Sequence, residues 1–391
     1  MPSPIRILTA IPICDGHDSA INTINLEFIR HGIEVVYLGY HRSVSDIVRA
    51  AIQEDVRAIG ISSYNGGHIE FFAEVVELLR KHGADDIKVF GGGGGTITHE
   101  DAVIMKRKGV DEIFFAGTSL DDMVKFVHKR YSKPRGKRAR AKSFDQELAH
   151  KLTEIEDKKK IRNSKFEIRR RSRVIGFTGP GGAGKTTLID ELVLRFLNKD
   201  RRSRIAILSH DPSVVGQGAL LGDRATMINS QNDRVFMRSM ATRGQAGGLS
   251  PATRDSLALL ARSGFDYVFI ETVGTGQEAM PFRRNGIVEL TILVMNPDYG
   301  SRLQLQKIVM LDLADVVVVN KSDLQRARTA HTEIELRLGQ NRRHQQLIDM
   351  VAKRHRDPGV DQLFALISRN AGAKPTRNYG NAGRRNSAST R

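Results

Sequence analysis

Residues 179–186 carry the most specific chemical pattern in the chain, because they fit the sequence G-x4-G-K-[ST]. An apolar run at residues 174–177 directly precedes them, so the pattern predicts a strand, a glycine-rich loop and a helix in that order. The N–H groups of such a loop and of the helix N-terminus bind phosphate. This setting favours phosphate binding over a turn without a ligand. The expected contacts are Gly179, Gly181, Gly182, Ala183, Gly184, Lys185, Thr186 and Thr187.

Several groups around this loop have the types that phosphoryl transfer requires. Lys185 is expected to reach the β- and γ-phosphates, and Thr186 is expected to hold Mg²⁺. Asp211 and Glu271 end two predicted strands, and carboxylates at such ends line the crevice where α/β proteins bind ligands. Each acid alone is more simply a helix cap, but beside the loop the two indicate Mg²⁺ binding or orientation of the attacking water. Gly274 could bring its backbone N–H to the γ-phosphate.

The sequence Asn320-Lys321-Ser322-Asp323 follows another apolar run, at residues 316–319. Its aspartate can accept hydrogen bonds from both N1–H and the amino group of guanine, a match that adenine does not offer. Such a tetrapeptide also occurs by chance in surface turns, but after a buried strand and downstream of a phosphate loop it predicts guanine recognition. We therefore expect GTP as the nucleotide, with Asn320, Lys321 and Asp323 at the base.

Asp15, Gly16, His17 and Asp18 come just after the first apolar strand of the chain. A histidine two residues after an aspartate can donate its ring N–H to the carboxylate, which makes the other ring nitrogen a better metal ligand. Alone, this spacing favours an ordinary surface histidine over a metal ligand. Polar and glycine residues after the third and fourth strands indicate a bulky ligand that lies against bare backbone. These residues are Ser62, Ser63, Gly91, Gly92, Gly93, Gly94 and Gly95.

The spacing of apolar residues predicts two groups of strands. In the first group, strands alternate with helices, which predicts a doubly wound, flavodoxin-like parallel sheet. The second group predicts a second parallel sheet, that of a P-loop GTPase α/β domain, with the phosphate loop after its first strand. The first group has strands at residues 5–11, 34–38, 58–61, 88–90 and 112–115 and helices at residues 19–31, 44–54, 68–81, 100–108 and 120–130. The second group has strands at residues 173–178, 204–209, 266–271, 290–295 and 316–320.

Composition divides the chain into four segments: residues 1–131, a first α/β domain; residues 132–172, a basic linker with a helix at residues 144–161; residues 173–368, the nucleotide domain; and residues 369–391, a disordered basic tail. The net charge of +17 comes almost wholly from the linker and tail. Residues 133–173 hold sixteen Lys and Arg against six Asp and Glu, and the tail holds six against none. These segments lack the interleaved aromatic residues of single-strand binders, so solvated segments are favoured over nucleic-acid binding.

The remaining composition excludes several classes of protein. The first residues lack the features of a signal peptide, and no apolar run approaches the roughly 20 residues that a membrane helix needs. The chain has one cysteine, Cys14, so it has no intramolecular disulfide framework, which fits a reducing compartment. We therefore expect a cytoplasmic protein without membrane contact.

Five motifs of the nucleotide domain resemble those of the GTPase chaperones of adenosylcobalamin-dependent acyl-CoA mutases. A glycine pair is usual where this chain has Gly216-Gln217-Gly218, which could stiffen or displace a nucleotide-responsive loop. The motifs are Asp211-Pro-Ser, Leu221-Gly-Asp-Arg224, Thr242-Arg-Gly, Glu271-Thr-Val-Gly-Thr-Gly-Gln and Asn320-Lys-Ser-Asp.

The residues singled out in the first domain resemble the cobalamin-binding domain of adenosylcobalamin mutases. The resemblance implies that His17 is the lower axial ligand of cobalt and Asp15 its hydrogen-bonding partner. It also implies that Ser62, Ser63 and the five glycines line the slot for the displaced dimethylbenzimidazole. The usual D-x-H-x-x-G motif ends in glycine, whereas this chain has Ala20. Such a non-glycine residue, and the order of the two domains, are similar to the fused isobutyryl-CoA mutases.

The large barrel of that family, which binds acyl-CoA, has no counterpart in this sequence. We therefore expect GTP hydrolysis that gates cofactor loading or protection, and no isomerase activity by this chain alone. The expected partner is an acyl-CoA mutase barrel domain or subunit, and the chain could also form a homodimer. A truncated fused mutase and a free-standing subunit both fit, and truncation is favoured by the basic tail. The alternative function is a non-catalytic ligand-binding module whose basic segments recruit an acidic partner or nucleic acid.

Overall fold

The computed structural model describes residues 4–13, 15–133, 140–157, 172–214, 216–245, 247–274, 288–299, 310–341 and 344–369. Four features discussed above lie outside these ranges in whole or in part: Cys14, the end of the predicted linker helix, the loop that follows Gly274 and the predicted tail. Among the described residues, no helix is both long and apolar enough to span a membrane.

The first sheet confirms the predicted flavodoxin-like order. Its strands are parallel and lie in the order β5-β4-β3-β1-β2-β8. Helices α1 and α5 cover one face, and α2, α3 and α4 cover the other. The elements are β1 (Arg6–Ala10), α1 (Ser19–Arg30), β2 (Glu34–Tyr37), α2 (Val44–Gln53), β3 (Ala58–Ser62), α3 (His68–Lys81), β4 (Lys88–Gly92), α4 (His99–Arg107), β5 (Glu112–Phe114) and α5 (Leu120–Tyr131), with β8 (Ala219–Leu221) contributed from far along the chain.

The second sheet is also parallel, in the order β13-β12-β11-β6-β10-β7-β9. The phosphate loop follows β6 near the centre, where the strand is buried on both sides. The elements are α6 (Phe144–Glu156), β6 (Arg173–Thr178), α7 (Lys185–Lys199), β7 (Ile205–Asp211), α8 (Asp223–Thr226), β9 (Val235–Ala241), α9 (Thr253–Leu260), β10 (Tyr267–Glu271), β11 (Leu290–Met295), α10 (Met310–Leu313), β12 (Val316–Asn320), α11 (Ala327–Gly339), β13 (Gln346–Met350) and α12 (Pro358–Arg369).

Strand β8 was not predicted, and it connects the two halves of the molecule. It leaves the nucleotide half and pairs with β2, with Ala219 opposite Glu34 and Leu221 opposite Val36. Just before it, the Gly218 N–H donates to the carbonyl oxygen of Ile29 at 2.8 Å. Strand β8, which lies between β7 and α8 in the chain, is therefore part of the first sheet.

The end of α2 covers the free edge of β9. An edge strand leaves backbone groups unpaired, and here two side chains from the first domain bind them. Gln53 donates to the carbonyl oxygen of Val235 at 2.9 Å and accepts from the Met237 N–H at 3.3 Å. Glu54 accepts from the Ser239 N–H at 3.0 Å. The interface between the two domains therefore replaces a missing neighbouring strand.

Helix α6 supplies an acid to a cluster of charges buried at the same interface. Glu156 at its C-terminal end accepts from Arg6 at 2.8 Å, Arg238 at 2.5 Å and Arg243 at 3.2 Å. Burial alone would raise the pKa of Glu156, but these three guanidinium groups outweigh it and lower the pKa to about 2. We call this set the interface cluster; it comprises Arg6, Glu34, Glu54, Glu156, Arg224, Arg238 and Arg243.

The interface cluster predicts acid sensitivity. The pKa of Glu156 is depressed from 4.5 to about 2, so its stabilisation is fully present above about pH 4.5 and is lost as the pH falls through about 2. Glu156→Gln should lower the free energy of unfolding at pH 7 by about 3 kcal/mol and flatten its pH dependence over that window. Urea unfolding at several pH values measures both effects. Glu147→Gln on the exposed face of α6 is the control, with an expected cost below about 1 kcal/mol; equal effects of the two variants would contradict the prediction.

Candidate functional site

The phosphate loop has the predicted strand–loop–helix setting. Gly184 has φ of +88° and lies directly before α7, a conformation that a side chain would strain. Lys185 is buried, and its Nζ donates to the carbonyl oxygens of Gly179 and Pro180, both at 3.2 Å. Burial lowers the pKa of Lys185, whereas the negative charges of Glu271 and Asp223 oppose that shift. The ammonium group therefore lies inside the loop.

The carboxylates of Glu271 and Asp223 act on this lysine, and that of Asp211 acts together with both of these acids. Thr186 Oγ1 donates to Glu271 at 2.8 Å. Burial, and then the charge of Asp223, raise the pKa of Glu271 to about 8, against the effects of Lys185 and Thr186. The same two causes, burial and neighbouring acids, raise the pKa of Asp211 well above its usual value. Burial also raises the pKa of Asp223, although Ser209 donates to it and Lys185 attracts it.

A divalent cation fits this group of acids. Asp211 Oδ2 and Glu271 Oε2 are buried without a hydrogen-bond partner, and a cation would satisfy both. Within the described ranges no three His, Cys, Asp or Glu side chains gather into a complete metal site. That suits Mg²⁺, which usually takes one or two carboxylates and completes its octahedron with water and phosphate oxygens. Thr186, Asp211 and Glu271 are the residues that could hold it.

The segment after Glu271 lies directly on the phosphate loop. The Gly181 N–H donates to the carbonyl oxygen of Gly274 at 2.8 Å, and a Cβ at Gly274 would overlap the backbone of Gly181. Gly274 thus contacts the phosphate loop through its carbonyl group, and the expected contact of its N–H with the γ-phosphate stays a prediction. A phosphate that uses the Gly181 N–H would displace this carbonyl group.

The Asn-Lys-x-Asp motif contacts the C-terminal part of the phosphate loop. Asn320 donates to the carbonyl oxygen of Ala183 at 2.8 Å and accepts from the Ala352 N–H at 2.9 Å. Lys321 Nζ donates to the carbonyl oxygen of Gly182 at 2.8 Å. Asp323 lies at the surface, and its Oδ2 is 3.4 Å from Arg354 Nη2. The motif thus connects the phosphate loop to the segment after β13.

One further side chain orders the carboxyl edge of this sheet. His210, next to Asp211, is fully enclosed; its Nδ1 lies 2.8 Å from the carbonyl oxygen of Glu271 and its Nε2 lies 2.8 Å from Thr253 Oγ1. Burial lowers the pKa of His210 to about 4, so the ring is neutral at pH 7. It joins β7, β10 and α9 at the site.

In the first domain, the structure brings Asp15 and His17 together. His17 Nδ1 lies 2.8 Å from Asp15 Oδ1, and the carboxylate also accepts from the N–H groups of His17 and Tyr64. Burial would raise the pKa of Asp15, but these hydrogen bonds hold it below its usual value. The His17 side chain is 67% exposed, so a ligand can approach its ring. Gly16 has open space around it, and Asp18 directly precedes α1.

A cavity of about 230 Å³ opens in the same domain, between α1 and the sheet. The glycines bring the backbone close: a Cβ at Gly91 would overlap the carbonyl oxygen of Ile61, and one at Gly93 that of Ser63. Thr9 Oγ1 is buried at the cavity without a hydrogen-bond partner. Of the predicted residues, Ser62, Gly91, Gly92, Gly93 and Gly94 line the cavity, whereas Ser63 and Gly95 do not. Ala20, which replaces the usual glycine of the motif, also lines the cavity.

The model of the methylmalonyl Co-A mutase-associated GTPase MeaB matches residues 148–390, more than half of the chain. The chain belongs to the MeaB family. A B12-binding domain model matches residues 5–124. This MeaB-family chain thus joins a B12-binding domain to a GTPase domain, and His17 and the cavity lie in the first of these.

Curated relatives have the same combination. The fused isobutyryl-CoA mutases of Geobacillus kaustophilus and Cupriavidus metallidurans are both 37% identical to this MeaB-family chain, over 93% and 95% of it. The chain spans 36% of the length of each. A putative GTPase of Pyrococcus horikoshii is 37% identical over 51% of the chain and 64% of its own length. The resemblance to fused isobutyryl-CoA mutases is confirmed.

Sequence reasoning gave no role to Asp223, His210 or Ala352 of the MeaB-family chain. Asp223 stands in the Leu-Gly-Asp-Arg motif, which was used only for the resemblance, because the neighbouring strand β8 was not predicted. His210 precedes a predicted acid, but its partners come from distant segments. Ala352 follows β13, an edge strand whose half-exposed pattern gave no signal.

Proposed function

We propose that the chain binds adenosylcobalamin in its first domain and hydrolyses GTP in its second, and that hydrolysis gates the loading or protection of the cofactor for an acyl-CoA mutase. The observation that carries this proposal is the interface cluster, whose buried charges join the two domains that hold the candidate sites. A chain that only tethered two independent sites would not need such an interface.

In the first domain His17 would be the lower ligand of cobalt. Asp15 accepts from Nδ1 and thereby leaves Nε2 as the basic nitrogen. The cavity would hold the displaced dimethylbenzimidazole against Gly91 and Gly93, and the unpaired hydroxyl of Thr9 offers that base a hydrogen bond. Bound adenosylcobalamin would supply cobalt–carbon chemistry to the mutase. This chain's own residues bind and orient it.

In the second domain water would attack the γ-phosphorus of GTP, and GDP and phosphate would leave. Lys185 neutralises the charge on the β- and γ-phosphates. Thr186, Asp211 and Glu271 would hold Mg²⁺, which would supply further charge neutralisation at the phosphates. Glu271 or the Gly274 segment would orient the water. His210 keeps Glu271 in place through its carbonyl oxygen.

The partner that we propose is an acyl-CoA mutase barrel, either a domain or a separate subunit. The names of the matched relatives and of the MeaB family support it, and isomerisation would require that barrel. A homodimer and a location in the cytosol remain predictions from the sequence. Mixing the purified chain with a candidate mutase subunit and measuring cofactor transfer with and without GTP tests the gating.

Asp323 should determine the choice of base. Its carboxylate would accept from two donors on guanine, and each charge-assisted hydrogen bond contributes about 1.5–3 kcal/mol. Asp323→Ala should therefore raise KM for GTP by about 30-fold or more. Inosine triphosphate lacks one donor, so its KM should change less, and the preference for GTP over it should collapse. A preference that survives the substitution would contradict guanine recognition by Asp323.

A further inference from the structure

Asp223 and Arg224 are neighbours in α8, but their side chains contact different parts of the molecule. Asp223 lies on the nucleotide side, where Ser209 donates to it and its charge acts on Lys185 and Glu271. Arg224 is fully buried on the other side, against the end of α2. A short helix thus connects an acid of the GTPase site to the B12-binding domain.

The guanidinium group of Arg224 has all its partners inside the interface. Its Nε donates to Glu54 at 3.1 Å, Nη1 and Nη2 donate to Gln53 Oε1 at 3.2 Å, and Nη2 donates to the carbonyl oxygen of Met237 at 2.5 Å. Glu54 also accepts from the N–H and hydroxyl of Ser239. Solvent reaches neither Arg224 nor Glu54. Because the charges have no water to replace a lost partner, the pair must stay formed while the domains stay docked.

Strand β8 restrains the same segment from its other end. It lies between Asp211 and Asp223 and pairs with β2. Asp223 is therefore attached to a stretch of chain that belongs to the first sheet. It cannot shift far without disturbing β8 or the pair of Arg224 with Glu54.

We infer that Arg224 is a positioning residue for GTP hydrolysis: by pairing with Glu54 it lets the B12-binding domain hold Asp223 in place at the nucleotide site. The inference rests on the proposed GTP hydrolysis and adds a dependence on a contact that lies outside the GTPase domain. Turnover then requires that α2 is docked, so a change in the first domain is transmitted to the second through this pair.

Glu54→Gln in the full chain tests the inference, because it removes the countercharge and nearly keeps the shape. We expect kcat for GTP to fall about 10-fold or more, KM for GTP to change less than about 3-fold, and the Mg²⁺ concentration for half-maximal rate to rise about 3-fold or more. A purely structural pair would lower the melting temperature and leave the kcat and Mg²⁺ dependence of the folded protein unchanged.

Arg224→Lys gives a second route if Glu54→Gln does not fold, because it keeps the charge and loses the forked geometry; the same kinetic changes are expected. In the double variant the losses should not add, since both substitutions break one interaction. Arg49→Met is the control: it removes the ion pair of α2 with the exposed Asp233, across the same two domains, and should leave kcat within about 2-fold of wild type.

The outcomes separate the two claims. A wild-type chain that turns over no GTP overturns the proposed function. Wild-type turnover with normal kcat in folded Glu54→Gln or Arg224→Lys, or with additive losses in the double variant, overturns the positioning role and leaves GTP hydrolysis intact.

Discussion

Lys185→Ala should reduce kcat/KM for GTP by about 100- to 1,000-fold, the usual loss when a donor to developing phosphate charge is removed. The ammonium group lies inside the phosphate loop, 3.2 Å from two of its carbonyl oxygens. Its positive charge also acts on the neighbouring Glu271, whose pKa it lowers against the effect of burial. Release of phosphate from GTP at saturating Mg²⁺ measures the effect.

Lys199→Ala, at the far end of the same helix, is the matched control and should keep wild-type turnover. If Lys185→Ala hydrolyses GTP as fast as wild type, the assignment of this loop fails. If the wild-type chain binds GTP but shows negligible turnover, the non-catalytic alternative from the sequence stands. In that case the basic segments are expected to bind an acidic partner or nucleic acid with a steep dependence on salt.

His17→Ala should abolish the change in the visible spectrum that we expect when hydroxocobalamin binds the chain. An imidazole nitrogen that replaces the cofactor's own base at cobalt alters the absorption, and His17 offers a 67% exposed ring whose Nδ1 is held by Asp15. Asp15→Asn should keep the histidine but weaken binding by about 10- to 100-fold. A titration followed by absorption measures both variants.

His31→Ala is the control, because His31 lies just after α1 and bonds to the carbonyl oxygen of Glu27. A wild-type spectral change in His17→Ala would refute cobalt ligation by His17. Cobalamin that stays with His17→Ala through gel filtration without the spectral change would show that the cavity binds the base independently. Failure of the wild-type chain to bind cobalamin at all would refute the site.

The local pattern was sufficient to predict much of the fold and part of the site. Five βα units with short connections allow few arrangements, so the flavodoxin-like order follows from the sequence. The phosphate loop could be placed because Lys185 and Thr186 depend on residues within one strand–loop–helix unit. The pairing of Asp15 with His17 followed from a spacing of two residues.

The missed parts depend on distant segments. Strand β8 has three residues, of which one is exposed, and only its pairing with β2 makes it a strand. Strand β9, which was not predicted, contains the buried Arg238, whose charge is neutralised by Glu156 of the distant helix α6. Asp223 became a site residue only once β8 placed it beside Lys185. These contacts join residues that are far apart in the chain, so no short stretch of the sequence could predict them.

Gln53 and Glu54 cover the edge of β9, and this contact limits how the two domains can be recombined in evolution. If the GTPase half, with α6, were joined to an unrelated cofactor domain, Arg224 would lose its ion pair with Glu54, and the uncovered edge of β9 would favour self-association. The two halves have therefore co-adapted. Chimaeras between relatives should be functional only when the end of α2 and helix α6 come from the same relative as the GTPase half.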